Sequence, residues 1–252
     1  MWPSLLQTLF LVIAGVVAGW VNTLAGAGGL VAIPALLFSG LSPHVANGTL
    51  RLAIIAQSVV GAASFRKAGR LPGRPLLHIL PLVVAGGAAG TLVATGLPAP
   101  VLKAIELGVL VVMALALLLR SQAVVPAADE QPRPLTVASA MGLLATGFYG
   151  GLVQAGVGLL LIAVLCGQLR FDLVRGNALK LAATLTFNVV SLAIFAAAGQ
   201  VEWRRGALMS LGTMLGAVLA VRFAVRRGQQ AIRWVLVVAV LVAVAVLALR
   251  SW

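Results

Sequence analysis

The chain is a succession of long apolar runs with very little between them, and this limits its fold more than any other feature. The runs fall at roughly 5–24, 29–40, 46–64, 75–97, 99–119, 135–153, 156–168, 176–198, 206–225 and 231–249. They are continuous rather than alternating, which argues against a β-barrel, whose strands alternate apolar and polar residues. Of the 252 residues, 62% are hydrophobic and 9% charged. No soluble domain needs so much apolar surface. A bilayer does, because backbone groups in hydrocarbon must be satisfied internally and side chains facing lipid must be apolar. The expected fold class is an all-α polytopic membrane protein with eight to ten transmembrane segments.

Charge sits between the runs. The net charge is +13, from 18 Lys+Arg against 5 Asp+Glu. Most of the basic residues lie in short connections, where they set topology and meet anionic headgroups. No basic patch is interleaved with aromatics, so no nucleic-acid partner is expected. The single cysteine, Cys166, excludes an intrachain disulfide and a Cys-rich metal site. His44 and His78 have no ligand spacing around them. No Walker loop, HExxH or G-x-S-x-G is present. The expectation is no cofactor, no metal and no enzymatic activity. The first run lacks a basic n-region and a small-residue cleavage site, so it reads as a retained helix.

The longest polar linker, Arg120 to Pro134, lies near the middle and prompts a search for an internal repeat. An offset of 130 residues aligns the halves without a gap. Ala25-Gly26-Ala27-Gly28 falls on Ala155-Gly156-Val157-Gly158, Asn47 on Asn177, Phe65 on Phe195, Gly69 on Gly199 and Gly86 on Gly216. Asn and Gly matches carry more weight than Leu on Leu. The reading is a first membrane repeat over 1–119, a linker over 120–134 and a second repeat over 135–252. Each half has five segments: a long one, a short one of about a dozen residues, and three of spanning length. A segment of a dozen residues does not cross a bilayer at ~1.5 Å per residue. It suits a broken or re-entrant helix, and an odd number of passes then inverts the second half.

Basic residues tend to stay in the cytoplasm. With the Arg66–Arg74 loop placed there, the 120–134 linker and the Arg170/Arg175 and Arg226/Arg227 connections fall on the same side. His44, the 97–99 turn, the Glu202/Arg204/Arg205 loop and both termini then face the periplasm. Arg204, Arg205 and Arg250 run against this orientation.

Two polar clusters interrupt the apolar runs at matching places. The first holds Asn22, Thr23, Gly26, Gly28 and Gly29, then Asn47, Thr49, Arg51, Gln57 and Ser58. The second holds Tyr149, Gln154, Gly156 and Gly158, then Arg175, Asn177, Lys180, Thr184 and Asn188. Glycines permit left-handed backbone and close approach. A helix starting after them, near Gly29 or Val157, offers free N–H groups and a positive dipole end to an anion. The alternative is that the glycines only let helices pack closely, as Gly15-xxx-Gly19 and Gly86-xxx-Gly90 are expected to do. Arg51 lies four residues after Asn47 and Lys180 three after Asn177, so each pair shares a helix face. A cation within an apolar run costs a few kcal/mol unless it is paired or faces water. A bound anion or a water-filled cavity would meet that cost; snorkelling to an interface is the alternative. Tyr149 and Gln154 either line a site or satisfy backbone freed by the break. Glu106 reads as a local ion pair with Lys103, or as a protonatable coupling group.

These residues resemble the TauE/SafE family, the sulfite exporter-like membrane permeases. The stretches that carry the resemblance are GWVNTLAGAGGLVAIPALLFSGLSPHVANGTLR in the first half, with GFYGGLVQAGVGLLLI and RGNALK in the second. With the duplicated layout, it covers nearly the whole chain. The usual run of four glycines is here Gly26-Ala27-Gly28-Gly29. The resemblance implies a bacterial inner-membrane transporter of sulfite, sulfoacetate or other sulfur-containing anions. The expected partners are a small anionic substrate and the lipid bilayer, with a homo-oligomer left open. The expected mechanism is alternating access, with a channel-like anion pore as the alternative and a membrane scaffold or intramembrane enzyme behind it.

Overall fold

The computed structural model describes residues 5–98, 100–101, 104–105 and 131–250, without the side chains of residues 30, 229, 231, 233 and 236–250. Glu106, Lys103 and most of the 120–134 linker lie outside the described residues.

All described elements are helices. They are α1 (Leu5–Ala25), α2 (Gly29–Phe38), α3 (Pro43–Lys67), α4 (Gly73–Gly96), α5 (Val137–Leu152), α6 (Val157–Ile162, continued as a π-helix over Ala163–Gln168), α7 (Leu173–Ala197) and α8 (Trp203–Arg250). Helix α8 is broken at Gly228, where φ is 71° and ψ −166°. Among the described residues, five stretches are long and apolar enough to cross a membrane: Leu5–Ala25, Pro43–Lys67, Gly73–Gly96, Leu173–Ala197 and Trp203–Gly228.

Local sequence explains four of the helix starts. Pro43 opens α3, where its missing N–H is no loss. Thr136 and Ser139 form a reciprocal capping box at α5. The Asp172 carboxylate accepts from the Val174 and Arg175 N–H groups at α7, at 3.0 and 2.9 Å. Glu202 does the same for Arg204 and Arg205 at α8.

The element boundaries recur at the 130-residue offset. Helix α3 falls on α7 at both ends. Helices α4 and α8 begin at matching positions. Positive φ recurs at Gly26 and Gly156, Gly40 and Arg170, and Gly69 and Gly199. Packing follows the same pairing: α1 lies on α8, its shifted counterpart α5 lies on α4, and α3 meets α7 between them. Helix α5 departs from the expected long first segment. It has 16 residues against 21 in α1: at the 130-residue offset it starts two residues later, at the Thr136 cap, and stops three earlier, before the left-handed Gln154 (φ 67°).

The small-residue faces pack as expected. A Cβ on Gly15 would lie 2.6 Å from the Met209 carbonyl of α8. One on Gly86 would lie 2.7 Å from the Phe148 amide of α5. These backbones approach too closely for any larger side chain.

Candidate functional site

The two helix breaks meet. Gly26 lies directly against Gly158, so that a Cβ on Gly26 would stand 2.6 Å from the Leu159 amide. A Cβ on Gly29 would be 3.0 Å from the Cα of Ala155. Neither glycine of the Gly26–Gly158 pair has room for a side chain, and Gly26 has φ 75° as well. The short helices start where expected, at Gly29 and Val157. Their first N–H groups are partly used locally. Gly28 N–H donates to Asn22 Oδ1 at 3.3 Å, and Val157 N–H donates to the Gln154 carbonyl at 3.3 Å.

Around the breaks lies a belt of polar side chains shut off from solvent. Asn22, Thr23, Asn47, Arg51, Gln57, Ser58, Gln154, Asn177, Lys180, Thr184 and Asn188 are all buried. Arg51 and Lys180 are 0% and 1% exposed, so neither snorkels to an interface. The reason is local: each finds oxygen acceptors inside.

Lys180 reaches from α7 to the end of α1. Its Nζ donates to the carbonyls of Asn22 and Thr23, at 2.7 and 2.8 Å, and to Asn177 Oδ1 at 2.7 Å. Arg51 reaches from α3 to the end of α5. Its Nη1 donates to the Gly150 carbonyl and Gln154 Oε1, both at 2.6 Å, and to Asn188 Oδ1 at 3.3 Å. Its Nη2 donates to the Gly151 carbonyl at 2.8 Å and to Asn47 Oδ1 at 3.0 Å. The guanidinium also stands over the Phe195 ring, 5.2 Å from the centroid.

The last carbonyls of any helix lack intrahelical donors and carry the negative end of the dipole. Each cation therefore closes the broken helix of the opposite half, Lys180 sharing Asn22 O with the Gly26 N–H, which donates to it at 2.8 Å. Asn47 assists, with its Nδ2 donating to the Leu152 carbonyl at 3.0 Å. Tyr149 donates to the Ala155 carbonyl at 2.5 Å, so it satisfies backbone at the break.

The two cations occupy two nests joined along α7. Asn188 donates to the Thr184 carbonyl at 2.7 Å, and the Thr184 hydroxyl donates to the Lys180 carbonyl at 2.9 Å. Asn188 is two turns beyond Lys180, about 12 Å along the axis. Ser58 on α3 reaches Thr184 at 3.2 Å. Gln57 Nε2 donates to Thr23 Oγ1 at 3.4 Å, and its Oε1 is buried without a hydrogen-bond partner. That unsatisfied end is a place for a ligand atom or a water.

Several participants are missing from the sequence-based set. Thr91 and Ser191 share a hydrogen bond of 2.6 Å, and Thr91 also donates to the Gly151 carbonyl at 3.2 Å. Phe195 was visible only as the repeat partner of Phe65. The carbonyls of residues 22, 23, 150, 151 and 152 carry no sequence signal beyond the nearby breaks.

The sequence profile of the sulfite exporter TauE/SafE family matches residues 11–247. A probable membrane transporter protein of Haemophilus influenzae is 30% identical over 238 residues, covering 93% of this chain and 91% of its own length. The probable membrane transporter protein ORF9 of a Sinorhizobium species is 30% identical over 250 residues, covering 96% and 95%. The probable membrane transporter protein YfcA of Escherichia coli K12 is 31% identical over 245 residues, covering 94% and 87%. No solved structure matches the chain. With paired helix breaks inside a bundle of apolar helices, and a profile that runs almost from end to end, the chain is a multi-pass membrane protein and belongs to the sulfite exporter TauE/SafE family.

Proposed function

We propose that the chain is a secondary transporter of small oxyanions, with sulfite or an organosulfonate such as sulfoacetate as substrate. In this reading the halves 1–119 and 135–252 are inverted in the inner membrane, with the termini periplasmic, and rock about the paired breaks. Family membership and three relatives named as membrane transporters support the general activity. The observation that carries the anion is the placing of two wholly buried cations, Arg51 and Lys180, at those breaks.

Both cations are held by neutral carbonyl and amide oxygens. A dianion or monoanion entering the belt meets positive charge in a low dielectric, where attraction is strong. It can compete with carbonyls for the same N–H donors, because charge-assisted hydrogen bonds are about twice as strong as neutral ones. Gln57 adds a polar group not fully used by the protein. Burial of the whole belt favours a carrier, which must open to admit its cargo, over a standing pore.

Uptake of labelled sulfite and sulfoacetate into proteoliposomes tests this. Saturable flux above empty vesicles is expected, reduced by Gln57→Leu. Absence of flux for sulfite, sulfoacetate, sulfate, taurine and simple carboxylates, with no thermal shift by any of them, would sink the reading. Ohmic current across a planar bilayer would replace the carrier with a channel.

A further inference from the structure

The two nests differ in one chemical respect. An arginine cannot release its proton within a protein, whereas a lysine can. The repeat does not impose this difference: Leu181 stands at the position matching Arg51, and Leu50 at that matching Lys180. The chain therefore places a titratable cation at the α1 break and a permanent one at the α5 break.

The geometry at Lys180 depends on its proton. An ammonium has three N–H donors, and three oxygens receive them: Asn22 O, Thr23 O and Asn177 Oδ1. The two carbonyls only accept. The Asn177 amide is fixed with its oxygen toward Lys180, because its Nδ2 donates to the Leu173 carbonyl at 2.9 Å. If Lys180 passes a proton to a water admitted beside it, the amine keeps two N–H bonds and gains a lone pair. One of the three oxygens then faces that lone pair: Asn22 O would keep the Gly26 N–H at 2.8 Å, whereas Thr23 O or Asn177 Oδ1 would lose the Lys180 donor. The hold on α1 weakens at the residues that lead into the Gly26 break.

Among the described side chains few groups compete; on α5, buried Tyr149 is engaged with the Ala155 carbonyl. Helices α1 and α2 contain no titratable side chain. The π-helical end of α6 brings Cys166, which is buried against Gly176 of α7. On α3, Arg51 is directed to the α5 break, while Arg66 and Lys67 are exposed and His44 is partly so. On α4, Arg74 and His78 are exposed. On α7 itself, Arg175 is exposed and Asp172 caps the helix start. Among its described side chains, helix α8 carries Arg204, Arg222, Arg226 and Arg227 exposed and Arg205 partly so.

We infer that Lys180 is an exchangeable proton site that latches the α1 break, and that proton movement through it couples to the anion. The coupling rests on the transport reading; the proton site does not. Release of the proton frees α1 and the first half, while Arg51 keeps the α5 break closed at any physiological pH.

The chain has three lysines, at 67, 103 and 180. A full-length Lys67→Arg/Lys103→Arg protein with 15N-labelled lysine leaves Lys180 as the only amine signal without touching the nest. In nanodiscs, that signal is expected to titrate between about pH 5 and about pH 10, the span over which buried lysines ionise. A signal unchanged across this range would overturn the inference. In vesicles loaded with a pH dye, sulfite or sulfoacetate is expected to drive proton movement in the wild type. In Lys180→Arg the protons moved per anion are expected to fall to the level of empty vesicles, whatever anion flux the variant retains. Proton movement equal to wild type in Lys180→Arg would also overturn it. A titrating Lys180 in a protein that moves neither anion supports the proton site and removes only the transport reading.

Discussion

The Arg51 and Lys180 nests answer the same need with different chemistry. Both close the C-terminal end of a helix broken near its glycines. Arg51 spreads five hydrogen bonds over Gly150, Gly151, Gln154, Asn188 and Asn47. Lys180 gathers three around one nitrogen. A planar fork suits a spread of acceptors and a point charge suits a tight cluster. The asparagines differ too. Asn47 crosses to the opposite half through Leu152, whereas Asn177 bonds Leu173 on its own helix. The Arg51 nest thus joins the halves more broadly, and the Lys180 nest joins them through one group that can change charge.

Removing each cation gives the largest test of this contrast. Arg51→Ala and Lys180→Ala should each lower stability by about 3–5 kcal/mol, since buried acceptors are left without donors. Arg51→Ala should be the more severe, read as loss of the monodisperse peak in detergent chromatography. Equal losses would mean that the number of bonds does not set the difference. Arg51→Lys comes next, at about 2–3 kcal/mol, because an ammonium cannot span five acceptors. Thermal unfolding in detergent measures it; a variant as stable as wild type would show that the fork geometry is dispensable.

The asparagines sharpen the comparison further. Asn47→Ala should cost about 2 kcal/mol and Asn177→Ala about 1 kcal/mol, as only the first breaks a bond that crosses between halves. The reverse order in thermal unfolding would contradict the division into a bridging and a local asparagine. Gln57→Leu should have the smallest effect on stability, within about 1 kcal/mol, since it removes one long hydrogen bond and one unsatisfied atom together. Its effect should instead appear in anion flux, where an unchanged rate would exclude Gln57 from the route.

Much of this was legible in the residues. Asn22, Gly26, Gly156 and Gly158 mark both breaks, because glycine and polar residues inside an apolar run have few structural uses. Gly29 and Val157 mark the starts of the short helices, where the structure also has them. Asn47 with Arg51, and Asn177 with Lys180, share a helix face and also share a hydrogen bond. What could not be read was the direction of each cation. Charge inside hydrocarbon requires a partner, and sequence offered an anion, water or the interface. The carbonyls of Asn22, Thr23, Gly150 and Gly151 were not among those choices, since every residue has a carbonyl and none is distinguished by its side chain. The end of α5 at Leu152 agrees with an apolar run that stops at 153, but the left-handed backbone of Gln154 was not legible, because glutamine has no turn signature.

The sequence by itself determined a helical membrane protein, its duplicated pattern and the places where its helices stop. Hydrophobic periodicity, glycine and isolated polar residues are local features, and local physics reads them directly. Only the tertiary structure decided that the two breaks lie against each other and that each cation crosses to the helix end of the opposite half. Those contacts join residues such as Lys180 and Asn22, 158 apart in the chain. They depend on which helix ends are brought together, and no local preference specifies that.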